Sequence, residues 1–164
     1  VARVVVLADT HVRAGSTRRL PAAACRQLEQ ADAILHAGDV LEAELLDWLG
    51  TFAPVHAVLG NNDLTLVGRL PTTLEVTLGG VRIGMIHDSG AKAGRPGRLR
   101  RRFPHAGVVV FGHSHDPCCQ EGVDGQLLLN PGSPTERRRA PHHTIGLLDV
   151  ADSAVIRAEI VPCS

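Results

Sequence analysis

Tyrosine is absent from this chain, and its 164 residues hold only three phenylalanines and one tryptophan. Proteins that grip single-stranded nucleic acid stack bases on aromatic faces, so this shortage argues against that class, and no specific nucleic-acid partner is expected. The core must be built from Val, Leu, Ile and Ala. Neither sign of charge is in excess: 17 basic and 17 acidic side chains balance, which argues neither for nor against a polyanionic partner. No run approaches the roughly 18 consecutive apolar residues of a membrane-spanning helix. The opening VARVVVLAD is basic then apolar, but too short for a signal peptide, and reads as a first strand. With no targeting segment visible, a cytoplasmic location and no membrane partner are the default expectations. The four cysteines, Cys25, Cys118, Cys119 and Cys163, form no CxxC pair. Reduced thiols are expected rather than bridges. Repeats, low-complexity tracts and linkers are also missing, so residues 1–164 are expected to form a single domain.

What is present is a regular alternation. RVVVLAD (3–9) is a continuous β-branched run that suits a strand buried on both faces. Residues 21–30 read as a helix, with Pro21 in the first turn and Leu20, Ala24, Leu28 and Ala31 near one face. AILHAGD (33–39) is a second strand. LEAELLDWLGTF (41–52) spaces Leu41, Leu45, Trp48, Leu49 and Phe52 as a helix, which assigns Trp48 to the core. PVHAVLGNND (54–63) is a third strand running into a loop. This β-α-β-α-β order predicts a parallel sheet with crossover helices. The pattern then changes. LEVTLGGVRIGMIHD (74–88) reads as a hairpin around Gly-Gly, followed by a loop and a short basic helix over 89–107. VVVFGHSH and QLLLNPGS (126–133) each run from strand to turn, and HTIGLLDV with AVIRAEIV closes the chain as a hairpin around residues 151–153. The expected class is α/β, with two mixed sheets flanked by helices.

The polar residues gather at the strand ends: Asp9-Thr10-His11, Gly38-Asp39, Gly60-Asn61-Asn62-Asp63, His87, His113-Ser114-His115 and Asn130-Pro131-Gly132-Ser133. Sites in α/β sheets form just outside the carboxyl ends of strands. Residues two apart in extended chain share a side, so Asp9 with His11, and His113 with His115, are each expected to face one point. Neutral imidazoles mixed with hard oxygens suit Zn, Mn, Fe or Ni better than Ca or Mg alone. The seven groups Asp9, His11, Asp39, Asn61, His87, His113 and His115 exceed the need of one tetrahedral ion and match two ions sharing a carboxylate. A lone DxH or HxH is usually structural, and Gly-Asp or GNND can be only a turn. Together, each at a strand end, they are not explained that way. Among the other histidines, His36 is expected to pack beside the second strand, with His56, His105, His142 and His143 in loops or on the surface.

In this order DTH, GD, GNND, His87 and GHSH resemble the signature of the calcineurin-like metallophosphoesterase superfamily. The compact length, the single acid Asp63 after GN and the NPGS turn are similar to its small bacterial and archaeal phosphodiesterase branch. The resemblance covers essentially the whole chain. It implies a four-layer α/β/β/α sandwich, with Asp9, His11 and His115 on a first metal, Asn61, His87 and His113 on a second, and Asp39 bridging. Two divalent transition-metal ions are implied as cofactors, manganese first, with zinc, iron or nickel compatible. Ions roughly 3.5–4 Å apart would clamp a phosphate and supply a bridging hydroxide for in-line attack. The implied function is hydrolysis of small phosphate esters, diesters first. Many relatives carry His where Asn62 stands. Asn cannot deliver a proton there, so substrates with good leaving groups are favoured; Asp63 is expected to orient Asn62 or its loop. Asp88 adds a carboxylate where many relatives have Gly.

Two Arg clusters, 98 with 100–102 and 137–139, read as solvated faces or as a phosphate-steering rim. Arg137 and Arg138, just after the NPGS turn, are the better candidates for substrate contact. A thiol ligand at Cys118 or Cys119 is not needed beside seven others. The competing readings are a scaffold, like the retromer subunit that resembles this fold, and a nuclease. An intact set of ligand residues favours an enzyme over the first, and the short neutral chain argues against the second. A homo-oligomer is compatible with the sequence.

Overall fold

Successive side chains of a strand face opposite sides of a sheet. In the computed structural model, which describes residues 1–164, this period sorts the apolar residues into layers. From β1 (Ala2–Leu7), Val4 and Val6 enter one core while Val5 and Leu7 enter another; from β2 (Ala33–His36), Ala33 and Leu35 follow the first pair and Ile34 the second. Both strands are therefore apolar through their central residues, Val4 to Leu7 and Ala33 to Leu35.

The first sheet has the order β10-β9-β1-β2-β3, with β3 (Val55–Ala57), β9 (Thr144–Ala151) and β10 (Ala154–Pro162). Strands β1, β2 and β3 are parallel, and β9 runs antiparallel to β1. The second sheet contains β4 (Thr73–Leu78), β5 (Val81–Ile86), β6 (Val108–Val110), β7 (Cys118–Glu121) and β8 (Leu127–Asn130), in the order β4-β5-β6-β8-β7. Here β5, β6 and β8 are parallel, with antiparallel strands at both edges. Between the sheets lies a core of Val4, Val6, Leu35, Ile83, Met85, Val108, Val110, Leu129 and Leu148. Ala24 and Leu28 of α1 (Ala22–Leu28) and Leu45 and Leu49 of α2 (Ala43–Leu49) cover the outer face of the first sheet. Leu99 of α3 (Arg95–Arg102), with Phe103, covers the second through Val109, Phe111 and Leu128. The result is the expected α/β/β/α stack. Its two tight hairpins use left-handed residue pairs, Gly79-Gly80 and Asp152-Ser153, the geometry that matches strand twist. The Ser153 amide donates to the Gly79 carbonyl at 2.8 Å, joining the two tips.

Two expectations are corrected, and one strand appears that the sequence did not announce. Trp48 is 39% exposed; Leu45 and Leu49 take the buried stripe of α2, and Trp48 flanks it, edge-on to Phe52 at 5.1 Å between ring centroids. His56 lies in β3, not in a loop. The strand β7, with sequence CCQE, has no alternating pattern and forms by pairing with β8. The thiols are free, and burial raises the pKa of Cys118 and Cys119 above the ordinary thiol value.

His36 is fully buried at the end of β2. Its Nδ1 lies 3.2 Å from the Gly38 amide, which donates to it, so Nε2 carries the proton and donates to Thr10 Oγ1 at 2.9 Å. Burial pushes its pKa from 6.5 down to about 3. The stability contributed by neutral His36 is therefore fully present above pH 6.5 and is lost as pH falls toward 3. A shift of this size corresponds to several kcal/mol, on the order of 1.4 per unit. We expect the melting temperature to fall on acidification from pH 7 to 4. His36→Gln should start lower but fall less over the same interval; parallel curves would remove His36 as the cause.

Candidate functional site

Parallel strands deliver their carboxyl ends to one side, and both sheets do so here. Asp9 and His11 follow β1, Asp39 follows β2, Asn61 to Asp63 follow β3, His87 follows β5, and His113 and His115 follow β6. The chain does not reach this arrangement in extended conformation, as spacing suggested. Asp9, His11, Asp39, His113 and His115 all have φ between 47° and 72°, half of the ten non-glycine residues in the left-handed region. Such residues cost of order 1–3 kcal/mol each and gather at functional sites. Packing is equally tight beneath them. A Cβ on Gly60 would stand 2.2 Å from the Asp39 nitrogen and 2.3 Å from its Oδ1, so only glycine lets the third loop touch the second.

The donor atoms converge. Asp39 Oδ2 lies 3.4 Å from His11 Nε2 and 3.5 Å from His87 Nε2, between the two. Asp9 Oδ1 lies 3.7 Å from His115 Nε2, 3.9 Å from His87 Nε2 and 4.0 Å from His11 Nε2. These are longer than good hydrogen bonds; the two from Asp39 match the roughly 3–3.5 Å expected between donors 2.0–2.2 Å from a common ion, and the three from Asp9 are slightly wider. Two overlapping groups result, Asp9–His11–His115 and Asp9–Asp39–His87. Asn61 Oδ1 completes the far side, 2.9 Å from His87 Nε2 and 3.2 Å from His113 Nδ1. Both oxygens of Asp9, with Nε2 of His11 and of His115, are buried without a hydrogen-bond partner. Buried polar atoms are ordinarily paired; this set fits divalent cations that would supply the missing partner.

Outer contacts aim these atoms. The Nδ1 of His87 bonds the Ala37 carbonyl at 2.7 Å, and that of His115 bonds the Glu136 carbonyl at 2.5 Å, which turns each Nε2 inward. Burial pushes the Asp9 carboxyl up to about 7 and pushes His11 and His115 down, keeping them neutral ligands. Burial would also raise Asp39, but His87 and the amide groups of Asn62 outweigh it and hold its carboxyl below the usual range. Desolvation opposes charge on His87, yet Asp39 and Asp9 beside it raise its pKa.

Asn62 grips Asp39 twice, its backbone N–H donating to Oδ1 and its side-chain amide to Oδ2, both at 2.9 Å. Of the two places expected for Asp63, the structure shows the one on the loop. It is buried, and its carboxylate accepts backbone N–H groups of Asp39 at 2.9 Å, Leu41 at 2.7 Å and Gly60 at 2.8 Å. Asp63 thus holds the second and third loops together and does not orient the Asn62 side chain. Arg138 reaches the His113 carbonyl at 3.5 Å, whereas Arg137 bonds the Ala140 carbonyl at 2.8 Å. Arg98 is spent on carbonyls of Ser89, Ala91 and Ala93, a clamp on the loop after β5. Asp88 Oδ2 lies 4.0 Å from His113 Nε2.

Glu136 escaped the sequence reading. Its Oε2 is 3.9 Å from His11 Nε2, and its Oε1 accepts from Arg18 Nη1 at 2.6 Å. The available signal was its isolation as the sole acid between Asp124 and Asp149. The NPGS turn also acts on the first loop: Ser133 Oγ donates to the Asp9 carbonyl at 2.8 Å, and Thr135 Oγ1 to the Thr10 carbonyl at 2.6 Å. One side of the site is buried, at Asp9, Asp39, His87 and His115, and the other is open at Asn61, Asn62 and His113. A ligand would enter from the open side.

Among known proteins, residues 3–153 match the family model described as the calcineurin-like phosphoesterase superfamily domain. A probable metallophosphoesterase of Methanocaldococcus jannaschii is 36% identical over 160 residues, covering 96% of this chain and 79% of that protein. One of Methanothermobacter thermautotrophicus is 34% identical over 135 residues, covering 81% and 77%. Among solved structures, Vps29 of Entamoeba histolytica in complex with zinc has a TM-score of 0.75 at 24% identity over 99% of both chains, a likeness of fold.

Proposed function

The chain belongs to the calcineurin-like phosphoesterase superfamily, and from that premise we propose that it is a dinuclear metal-dependent phosphodiesterase acting on small phosphate esters. The observation that carries this reading is the set of buried, unpartnered donor atoms on Asp9, His11 and His115. Asp9, His11 and His115 would hold one ion, Asn61, His87 and His113 a second, and Asp39 would serve both. Bound divalent ions supply charge neutralisation at phosphate oxygens and an acidified water; manganese is the expected occupant.

The chain's own groups do the positioning. Asn62 fixes both oxygens of Asp39, so the shared carboxylate cannot rotate away from either neighbour. Because the Asn62 amide cannot protonate a departing alkoxide, esters with weakly basic leaving groups should turn over fastest. Arg138, bonded to the His113 carbonyl, places a cation on the open rim, with exposed Arg137 beside it. Both would draw a phosphate toward the site and contact it.

The test is to load the purified protein with manganese, count bound ions, and compare bis(4-nitrophenyl) phosphate with 4-nitrophenyl phosphate. Two ions per chain and faster cleavage of the diester are expected. Two bound ions with no hydrolysis of either ester would overturn the proposal and favour a scaffold.

A further inference from the structure

A cleft lies against the metal-ligating loop rather than over it. It measures about 530 Å3 and is walled by the 12–20 loop, Cys25 of α1, and Glu42, Glu44, Leu45 and Trp48 at α2. That volume is within the roughly 300–1,000 Å3 of small-molecule sites. A smaller recess of about 210 Å3, lined by His11, Leu41 and Glu136, opens beside the metal ligands. The two share Arg13, Ser16 and Arg18, so the recess beside the metal ligands and the cleft are neighbours across these three residues.

Its lining is chemically specific. Val12, Leu20 and Leu45 make an apolar floor. Trp48, the only tryptophan of the chain, leaves part of its ring exposed there, and Phe52 packs edge-on behind it. An exposed indole supported from behind is an unusual use of a scarce residue, and it offers a flat face at which an aromatic ring can stack. Glu42 and Glu44 add carboxylate acceptors to the same lining. Arg13 and Arg18 stand between the recess and the cleft, Arg18 paired with Glu136, where a chain of phosphate and sugar would cross.

We infer that this cleft seats the nucleobase of a nucleoside phosphodiester whose phosphate lies at the metal ligands, with Trp48 stacking on the base and Glu42 and Glu44 accepting from its N–H edge. The inference rests on the phosphoesterase reading and narrows its substrate class. The balance of one aromatic with two carboxylates fits a single base better than a polymer, which would need a series of such platforms.

Because the chain has one tryptophan, its fluorescence reports the cleft directly. With the manganese-loaded protein, guanosine 5′-monophosphate should quench Trp48 saturably, while ribose 5-phosphate, which has the phosphate but no base, should not. Thymidine 5′-(4-nitrophenyl) phosphate and methyl 4-nitrophenyl phosphate lose the same leaving group. The thymidine ester should have a kcat/KM about 5-fold or more higher, the scale of one stacked base. Trp48→Ala should bring the ratio near one, and Glu44→Ala, at an exposed position, should lower it as a second variant. Equal kcat/KM for the two esters in the wild type overturns the inference, whatever the fluorescence does, and leaves the phosphoesterase reading standing. Hydrolysis of neither ester with saturable quenching upholds the cleft and overturns the phosphoesterase reading. Neither hydrolysis nor quenching overturns both.

Discussion

Asp39→Asn should lower kcat/KM by about a thousandfold or more, on the order of 4 kcal/mol of transition-state stabilisation, with the fold retained. Three features converge on this residue. Its Oδ2 lies 3.4 Å from His11 Nε2 and 3.5 Å from His87 Nε2, so it belongs to both halves of the site. Its carboxyl is held below the usual carboxylate range by His87 and the amide groups of Asn62, so it is anionic at neutral pH. Both its oxygens already accept hydrogen bonds from Asn62. An asparagine amide would therefore point a donor at a donor on one side, and the side chain would have to turn away from a metal ligand position. Metal content should fall from two ions per chain together with activity, while circular dichroism stays that of the wild type. Wild-type turnover with full metal in this variant would refute the shared-carboxylate mechanism.

The Asp63→Ala variant should lose metal and stability together. The Asp63 carboxylate is the acceptor for three backbone N–H groups, on Asp39, Leu41 and Gly60. Removing it leaves three donors unpaired at a buried spot. Each such group costs about 1–3 kcal/mol, so a total on the order of 3–5 kcal/mol is expected after partial relaxation. For a domain of this length that corresponds to a fall in melting temperature of roughly 10–15 °C. Asp63→Asn keeps the shape but replaces one acceptor oxygen with a donor, and should fall between. A melting temperature and metal content equal to wild type, with activity gone, would instead assign Asp63 a direct part in the chemistry.

The layer order was legible because it rests on two strong signals. The uninterrupted apolar runs at 4–8, 33–35 and 108–111 can only be strands buried on both faces, and the spacings through Leu28 and through Leu49 can only be helices lying on them. The residues of the site were legible because they stand at the ends of those runs. Less could be read of how they meet. Alternation along extended chain was the natural argument for Asp9 with His11, yet both residues are left-handed, as are Asp39, His113 and His115. That conformation is imposed by packing such as the contact of Gly60 with Asp39, which no local pattern encodes. Glu136 and Arg18 approach the site from segments 118 residues apart in sequence, and β7 exists only because β8 offers it an edge. Trp48 shows the limit of periodicity: its spacing is that of a core residue, but the apolar stripe of α2 is narrow enough to leave it at the margin.

The left-handed backbone at five candidate ligand positions has a consequence for how this protein should be handled and measured. Energy spent on holding those residues, and on burying the Asp9 carboxyl, is returned only by something that binds the folded chain and not the unfolded one. Under such linkage, stability grows with the logarithm of free ligand concentration over its dissociation constant. If the proposed ions bind, a melting temperature for this chain would be a reading of the free metal in the buffer as much as of the sequence, and a chelator would act on it as a denaturant does.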